Sequence, residues 1–162
     1  MTSRTRTFEW ADPLDTARGA AGKTGREFLE AIIRGDLPPA PIQHTLGFTL
    51  TAAGDGMARF EGEFAEYMYN PANSVHGGIA CTLLDSAMGA AVMSACDAKT
   101  GYTTMDLNVH LTRAITAKTG AFVAEGHVVH RGSRMMTAEA KLTDAQGKLL
   151  AHATSTCMLL DR

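Results

Sequence analysis

The chain is poor in cysteine, nearly balanced in charge and without a long uninterrupted apolar run. Its 162 residues include three cysteines, Cys81, Cys96 and Cys157. They form no Cys-X-X-Cys pair, and an odd count gives no disulfide framework. Three reduced, buried thiols in a cytoplasmic protein are the expectation. Lys and Arg number 15 against 17 Asp and Glu, a net charge of −2, and the basic residues are scattered. That distribution gives no nucleic-acid footprint. No uninterrupted run of 18 apolar residues occurs, so no membrane-spanning segment is expected. Residues 1–10 are polar and lack the apolar stretch of a secretion signal; residues 1–12 read as a loose arm. Apart from Pro38-Pro39-Ala40-Pro41, there is no low-complexity segment, and there is no internal repeat.

Apolar residues make up 45% of the chain, enough for one well-filled core. Asp15 to Arg34 reads as one helix, with Phe28, Leu29, Ile32 and Ile33 as its apolar stripe and the proline run as its stop. Strands follow over 47–53 and 57–64, joined by a Gly54-Asp55-Gly56 hairpin turn. The loop from Ala65 to Val75 carries an exposed-looking Tyr67-Met68-Tyr69. A helix from about His76 to Cys96 has no solvated face and should be buried on all sides. Four strands close the chain, over 101–111, 120–130, 135–143 and 148–160. In the first, Thr103, Met105, Leu107, Val109 and Leu111 alternate with Thr104, Asp106, Asn108 and His110. Short turns between strands imply an antiparallel meander. A long apolar helix between strand blocks implies an α+β fold, with the sheet curled round the helix.

Chemistry concentrates between Asn70 and Asp85. A turn-rich loop enters the His76-Gly77-Gly78 sequence, which opens the apolar helix. A helix start offers unpaired N–H groups and positive dipole charge, which suit a developing oxyanion. Asp85, two turns inside the helix, is costly there unless paired or hydrated, and is a candidate base or nucleophile. His76 joins the catalytic candidates, although a helix start disfavours a cation and favours a neutral, structural imidazole. Cys81 lacks a partner base and reads as packing. His127 and His130, three apart on a strand, should point to opposite faces. His44, His110 and His152 read as surface or packing residues. No metal constellation is visible.

Asn70…His76-Gly77-Gly78…Asp85, with the segments Thr104–Val109, Gly126–Arg134 and Asp144–Ala151, resembles the phenylacetate-degradation (PaaI-like) branch of hotdog-fold acyl-CoA thioesterases. The resemblance covers roughly residues 40–160. It implies a hotdog fold, a six-stranded antiparallel sheet wrapped round a central helix, over residues 41–162. Residues 1–40 form an extra N-terminal arm and helix. It also implies self-association as a homodimer or dimer of dimers, with sites between protomers. On the matching positions, Gly77 would donate its N–H to the thioester carbonyl. Asp85 of the other protomer would be base or nucleophile. Asn70, or Asn73 in its place, would position water or leaving group, and Thr104 would hold the attacking water. Strand alternation alone favours Thr103 over Thr104, unless a bulge intervenes. One departure is Arg113-Ala114 where the family often has Arg-Pro.

Substrate contacts are expected from Gly78, Asn73, Tyr69 and Met88, and phosphate contacts from Arg131, Ser133 and Arg134. Coenzyme A enters as part of the substrate, with no other cofactor and no metal. Two alternatives share the fold: a non-catalytic acyl-CoA binding module, and an acyl-CoA hydratase or dehydratase. The second would want a histidine base beside its acid, whereas Asp85 stands alone on the helix.

Overall fold

A computed structural model describes residues 3–161. Three short helices, α1 (Pro13–Gly19), α2 (Gly25–Arg34) and α3 (Pro41–Leu46), precede strands β1 (Phe48–Gly54) and β2 (Met57–Glu63). The long helix α4 (Gly77–Ser94) follows, then β3 (Thr100–Thr104), β4 (Asn108–Leu111), β5 (Ala121–Arg131), β6 (Met135–Asp144) and β7 (Leu149–Asp161). All pairings are antiparallel, in the order β1-β2-β5-β6-β7-β3, with β4 also on β7. The Gly54-Asp55-Gly56 hairpin forms as expected, with Gly54 paired to Met57.

The sheet curls round α4 because one face of every strand is small or apolar. On β5, Phe122, Ala124 and Gly126 turn inward, while Glu125 and His127 face out, and Glu125 pairs with both His127 and Arg59. Gly126 permits the closest approach: a Cβ there would lie 2.4 Å from the Ala87 carbonyl oxygen on α4. Leu83, Leu84, Ala87, Met88, Ala91 and Val92 of α4 are fully enclosed by the sheet. The 18 residues of α4 are long and apolar enough to match a membrane span by length and composition alone, at mean hydropathy 1.3. More than half of it is buried inside the fold, so α4 is the wrapped core helix and the expectation of no membrane-spanning segment stands.

Four expectations are corrected. The single helix over 15–34 is two. The chain turns between Gly19 and Gly25, and Thr24 starts α2 with a reciprocal capping box to Glu27, satisfying two orphan donors at once. The Pro38–Pro41 run does not only stop a helix; Pro41 begins α3, since proline at the first helical position loses no hydrogen bond. The strand over 101–111 is split into β3 and β4, which makes seven strands of the expected six. And α4 is not buried all round. Gly78, Cys81, Thr82, Asp85 and Ser86 form a half-buried stripe at helical spacing, with Cys81 on it rather than in the core.

The N-terminal arm lacks regular structure but is tethered. Arg4 pairs with Glu66 at 2.9 Å. Arg6 donates to the Thr45 and His44 carbonyls and lies over the Tyr67 ring. Met1 and Thr2, part of the expected loose arm, lie outside the described residues.

Candidate active site

The loop before α4 is shaped by Asn70. Its Oδ1 accepts from the Ala72 N–H at 2.8 Å and its Nδ2 donates to Ser74 Oγ at 3.1 Å. Its backbone N–H binds the Ser74 carbonyl at 2.8 Å. Asn73 sits at φ +59°, the left-handed conformation that asparagine tolerates best after glycine, and its side chain is exposed. Val75 donates to Ile115 and His76 to Met68, which pins the loop to the fold.

His76 is the N-cap of α4. Its Nδ1 accepts the Gly78 N–H at 2.9 Å, so that nitrogen carries no proton and the ring is the neutral Nε2–H tautomer. The Ile79 N–H is taken by the His76 carbonyl. The Gly77 N–H, by contrast, has no hydrogen-bond partner among the described residues. It opens into a cleft bordered by Asn70, Ser74, His76, Leu111 and Arg113. One unpaired donor at the positive end of an 18-residue helix suits a developing oxyanion.

Asp85 is half-buried and accepts a hydrogen bond from Thr104 Oγ1 at 3.1 Å. Thr104 reaches it because of an extra residue in the edge strand. Thr104 pairs with Cys157 and Asn108 with Thr154. Three residues therefore separate the first pair from the second on this strand, and two on β7. Asp106 stabilises the bulge: its Oδ1 accepts the Thr156 N–H at 3.0 Å and its carbonyl accepts the Ser155 hydroxyl at 2.9 Å. The bulge inverts the alternation. Tyr102 and Thr104 face the helix before it, and Val109 faces the core after it. The even alternation that favoured Thr103 therefore fails, and Thr104 is the threonine beside Asp85.

Cys157 lies behind this pair and is fully buried. Burial pushes its thiol up, hydrogen bonds from Ser155 and Thr104 oppose that, and the Asp85 and Asp106 charges add to the rise. It is a protonated packing thiol.

The remaining expected residues are dispersed. Tyr69 is half-buried, its hydroxyl accepting the Ala117 N–H at 2.8 Å, and Met68 is in the core. The exposed-looking triplet thus exposes only Tyr67. Met88 is fully buried beneath the sheet, where core packing takes up its side chain. Arg131 is tied to Asp55 at 2.7 Å. Ser133 and Arg134 are exposed, and Arg134 has no ion pair among the described residues. This hairpin lies at the C-terminal end of α4, where Ser94 Oγ accepts the Gly56 N–H and Gly56 abuts Arg131. It is about 26 Å along the helix from Gly77. A register shift between Val128 and His130 places His127 and His130 on the same outer face, correcting the expected opposition. His110 and His152 stack as a cross-strand pair at 4.8 Å. Among the described residues, no group of three or more His, Cys, Asp or Glu is placed to hold a metal.

Gly77 and Asp85 do not converge within one chain. Eight helical steps set them about 12 Å apart, and helix N–H groups point back along the axis, away from Asp85.

A family model described as the thioesterase superfamily matches residues 72–151. A Saccharolobus solfataricus protein named as an esterase is 30% identical over 105 residues, 65% of this chain and 73% of the relative. A Halobacterium salinarum protein, also named as an esterase, is 37% identical over 99 residues, 58% of this chain. The chain spans 64% of that relative, just under two thirds of its length. A 1,4-dihydroxy-2-naphthoyl-CoA hydrolase of Listeria monocytogenes is 24% identical over 115 residues, 71% of this chain and 92% of the relative. Among solved structures, a phenylacetic acid degradation-related protein of Ralstonia eutropha, a thioesterase by name, superposes with TM-score 0.73 at 26% identity. That match covers 80% of this chain and 98% of that one. The chain belongs to the thioesterase superfamily, as a PaaI-like hotdog protein.

Proposed function

We propose that this protein hydrolyses acyl-CoA thioesters to the free acid and coenzyme A, at sites shared between two copies of the chain. The observation that carries the reading is the unpaired Gly77 N–H together with the Thr104-held Asp85, both on α4 yet too far apart to act on one carbonyl. Pairing two antiparallel copies of α4 through the half-buried stripe brings Gly77 of one chain towards Asp85 of the other. A C2 arrangement of this kind gives two equivalent sites. The Gly77 N–H binds the thioester oxygen. Asp85 takes a proton from water as the water attacks the carbonyl carbon, or attacks directly and is regenerated by water. The C–S bond breaks, the thiolate leaves and is protonated, and the net consumption is one water per thioester.

Asn70 holds the loop, and Asn73 is the loop amide free to reach substrate. Gly78 keeps the helix start open to it. Arg134, with Ser133, is the cation available for coenzyme A phosphates, and Arg131 is the weaker one because Asp55 neutralises it. Coenzyme A is part of the substrate, and the chemistry uses no metal. A cytoplasmic location fits a coenzyme A substrate and three free thiols.

The test is hydrolysis of a panel of acyl-CoA esters with free-thiol detection, on wild type and Asp85→Asn together. Turnover in wild type, with a several-hundredfold loss in Asp85→Asn at unchanged Tm, is the expected result. Equal turnover in both removes Asp85 from the chemistry.

A further inference from the structure

We propose that the N-terminal helices form the roof of an acyl pocket, and that this pocket selects a compact, unsubstituted apolar acyl group of about six carbons. The proposal rests on the thioesterase reading and assigns a role to the segment that precedes the hotdog core. Helix α2 packs against β1 and α4, and Tyr102 of β3 faces the same space. A cavity of ≈ 200 Å³ lies beneath α2. Phe28 and Ile32 of α2 line it from above, Leu50 and Phe60 from the sheet, and Ala90 and Tyr102 from the side nearer the site.

The cavity leads from the reacting centre. Ser86, which lines it, follows Asp85 on the helix. Tyr102, two residues before Thr104, shares its face of β3. Two residues along a strand are about 6.6 Å, so the mouth lies one short step from the Asp85–Thr104 hydrogen bond. Gly89 lets Tyr102 pack tightly there: a Cβ would stand 2.3 Å from the tyrosine oxygen. An acyl chain whose carbonyl stands at Asp85 therefore runs past Ser86 and Tyr102 into the space under α2.

Size and polarity name the occupant. An apolar cavity of about 150 Å³ holds one benzene ring, so ≈ 200 Å³ takes a single ring or about six methylenes and no more. The walls away from the mouth are apolar apart from Gln43 and Thr16, each of which already makes one hydrogen bond. Gln43 Oε1 accepts the Leu50 N–H, and Thr16 Oγ1 donates to the Pro38 carbonyl. A hydroxylated acyl group would lose its water for few partners on walls that are mostly apolar. The roof is also fixed. The Gly25 N–H at the start of α2 donates to the Cys96 carbonyl just beyond α4 at 3.0 Å, and the Thr24–Glu27 capping box holds the same turn.

The experiment compares kcat/KM for acetyl-, hexanoyl- and decanoyl-CoA in the full-length wild type, Ile32→Trp, which fills the cavity from the roof, and Ala90→Leu, which fills it from α4. Wild type should prefer hexanoyl-CoA. Each filled variant should lose roughly tenfold or more of the hexanoyl-over-acetyl preference, at near-native Tm. Ile32→Ala should shift preference towards decanoyl-CoA. Hexanoyl-CoA binding to Asp85→Asn and to Asp85→Asn/Ile32→Trp, by calorimetry, reads the pocket without turnover. Unchanged selectivity in a folded Ile32→Trp or Ala90→Leu overturns the pocket and leaves the hydrolysis reading standing. If wild type hydrolyses no thioester, yet Asp85→Asn binds hexanoyl-CoA more tightly than acetyl-CoA and the added tryptophan abolishes the difference, the pocket stands and the hydrolysis reading falls. A pocket occupied instead by a segment of the partner chain would give equal binding of both esters, and that also overturns the proposal.

Discussion

Thr104 Oγ1 donates a hydrogen bond to Asp85 Oδ1 across 3.1 Å, from the edge strand to the core helix. The bond fixes which way the carboxylate faces along the open stripe of α4. Its other oxygen is left for water or substrate.

Thr104→Val removes that donor while keeping the shape. A hydrogen bond to a charged group contributes about 1.5–3 kcal/mol. Both side chains keep solvent access, so the lower end applies, and kcat should fall about tenfold. KM should change little, and Thr104→Ser should restore most of the loss. Steady-state kinetics on a hexanoyl-CoA substrate measure both numbers; an unaltered kcat in Thr104→Val would show that the carboxylate needs no help from β3.

His76 is the second residue whose role the geometry defines. Its ring accepts the Gly78 N–H and so caps α4. His76→Ala should lower stability by about 1 kcal/mol, the usual worth of an N-cap. His76→Asn supplies another capping oxygen and should keep both stability and turnover. Urea unfolding and kcat on the three proteins separate the roles, because an inactive but fully stable His76→Asn variant would make the imidazole a proton carrier.

The long helix was legible in the sequence because Gly77 to Ser94 contains a single charged residue, and nothing but burial explains so apolar a run. Asp85 was legible for the same reason: a carboxylate in that setting calls for an account. The Thr104 contact was not legible from periodicity. A bulge over 105–107 leaves no compositional mark, yet it reverses every in–out assignment beyond it. The same effect on β5 brings His127 and His130 to one face. The break between α1 and α2 did carry a signal, Thr24 with Glu27 three residues on, but the apolar stripe of Phe28, Leu29, Ile32 and Ile33 reads through it. That Gly77 keeps a free N–H while Gly78 does not depends on the rotamer of His76, and no spacing rule reaches that level.

Cys157 gives a pH-dependent prediction. Its thiol ionises above the ordinary 9.0 in the folded chain, chiefly because it is buried. Between the unfolded and the folded value, the folded chain holds a proton that the unfolded chain releases, so unfolding becomes more favourable as pH rises. The stability tied to this group is fully present below about pH 9 and is lost as pH climbs through the folded value. Cys157→Ala should remove that alkaline slope while leaving a cavity cost that is constant with pH. Urea midpoints from neutral pH to strongly alkaline pH, for both proteins, should converge as pH rises; parallel curves would mean that the thiol ionises equally easily in the native state.

The pairing of Gly77 from one chain with Asp85 from another can be tested by complementation. Gly77 is the first residue of α4, a position where proline fits and its missing N–H removes no helical bond. His76 is already extended, at φ −60° and ψ 132°, as a residue before proline must be. The new Cβ would meet only the tip of Leu111, an exposed side chain free to swing aside. Gly77→Pro thus deletes the proposed oxyanion donor at little cost to the fold. Turnover should drop about 100- to 1000-fold, while Gly77→Ala, which keeps the N–H, should lose far less. Asp85→Asn and Gly77→Pro chains, each nearly inactive alone, should recover activity when unfolded together and refolded in equal amounts. In a mixed dimer, the glycine of the first chain meets the aspartate of the second and makes one intact site. Random pairing into two-fold dimers then returns about a quarter of wild-type turnover. If both groups acted within one chain, every chain in the mixture would carry a defect and no activity would return.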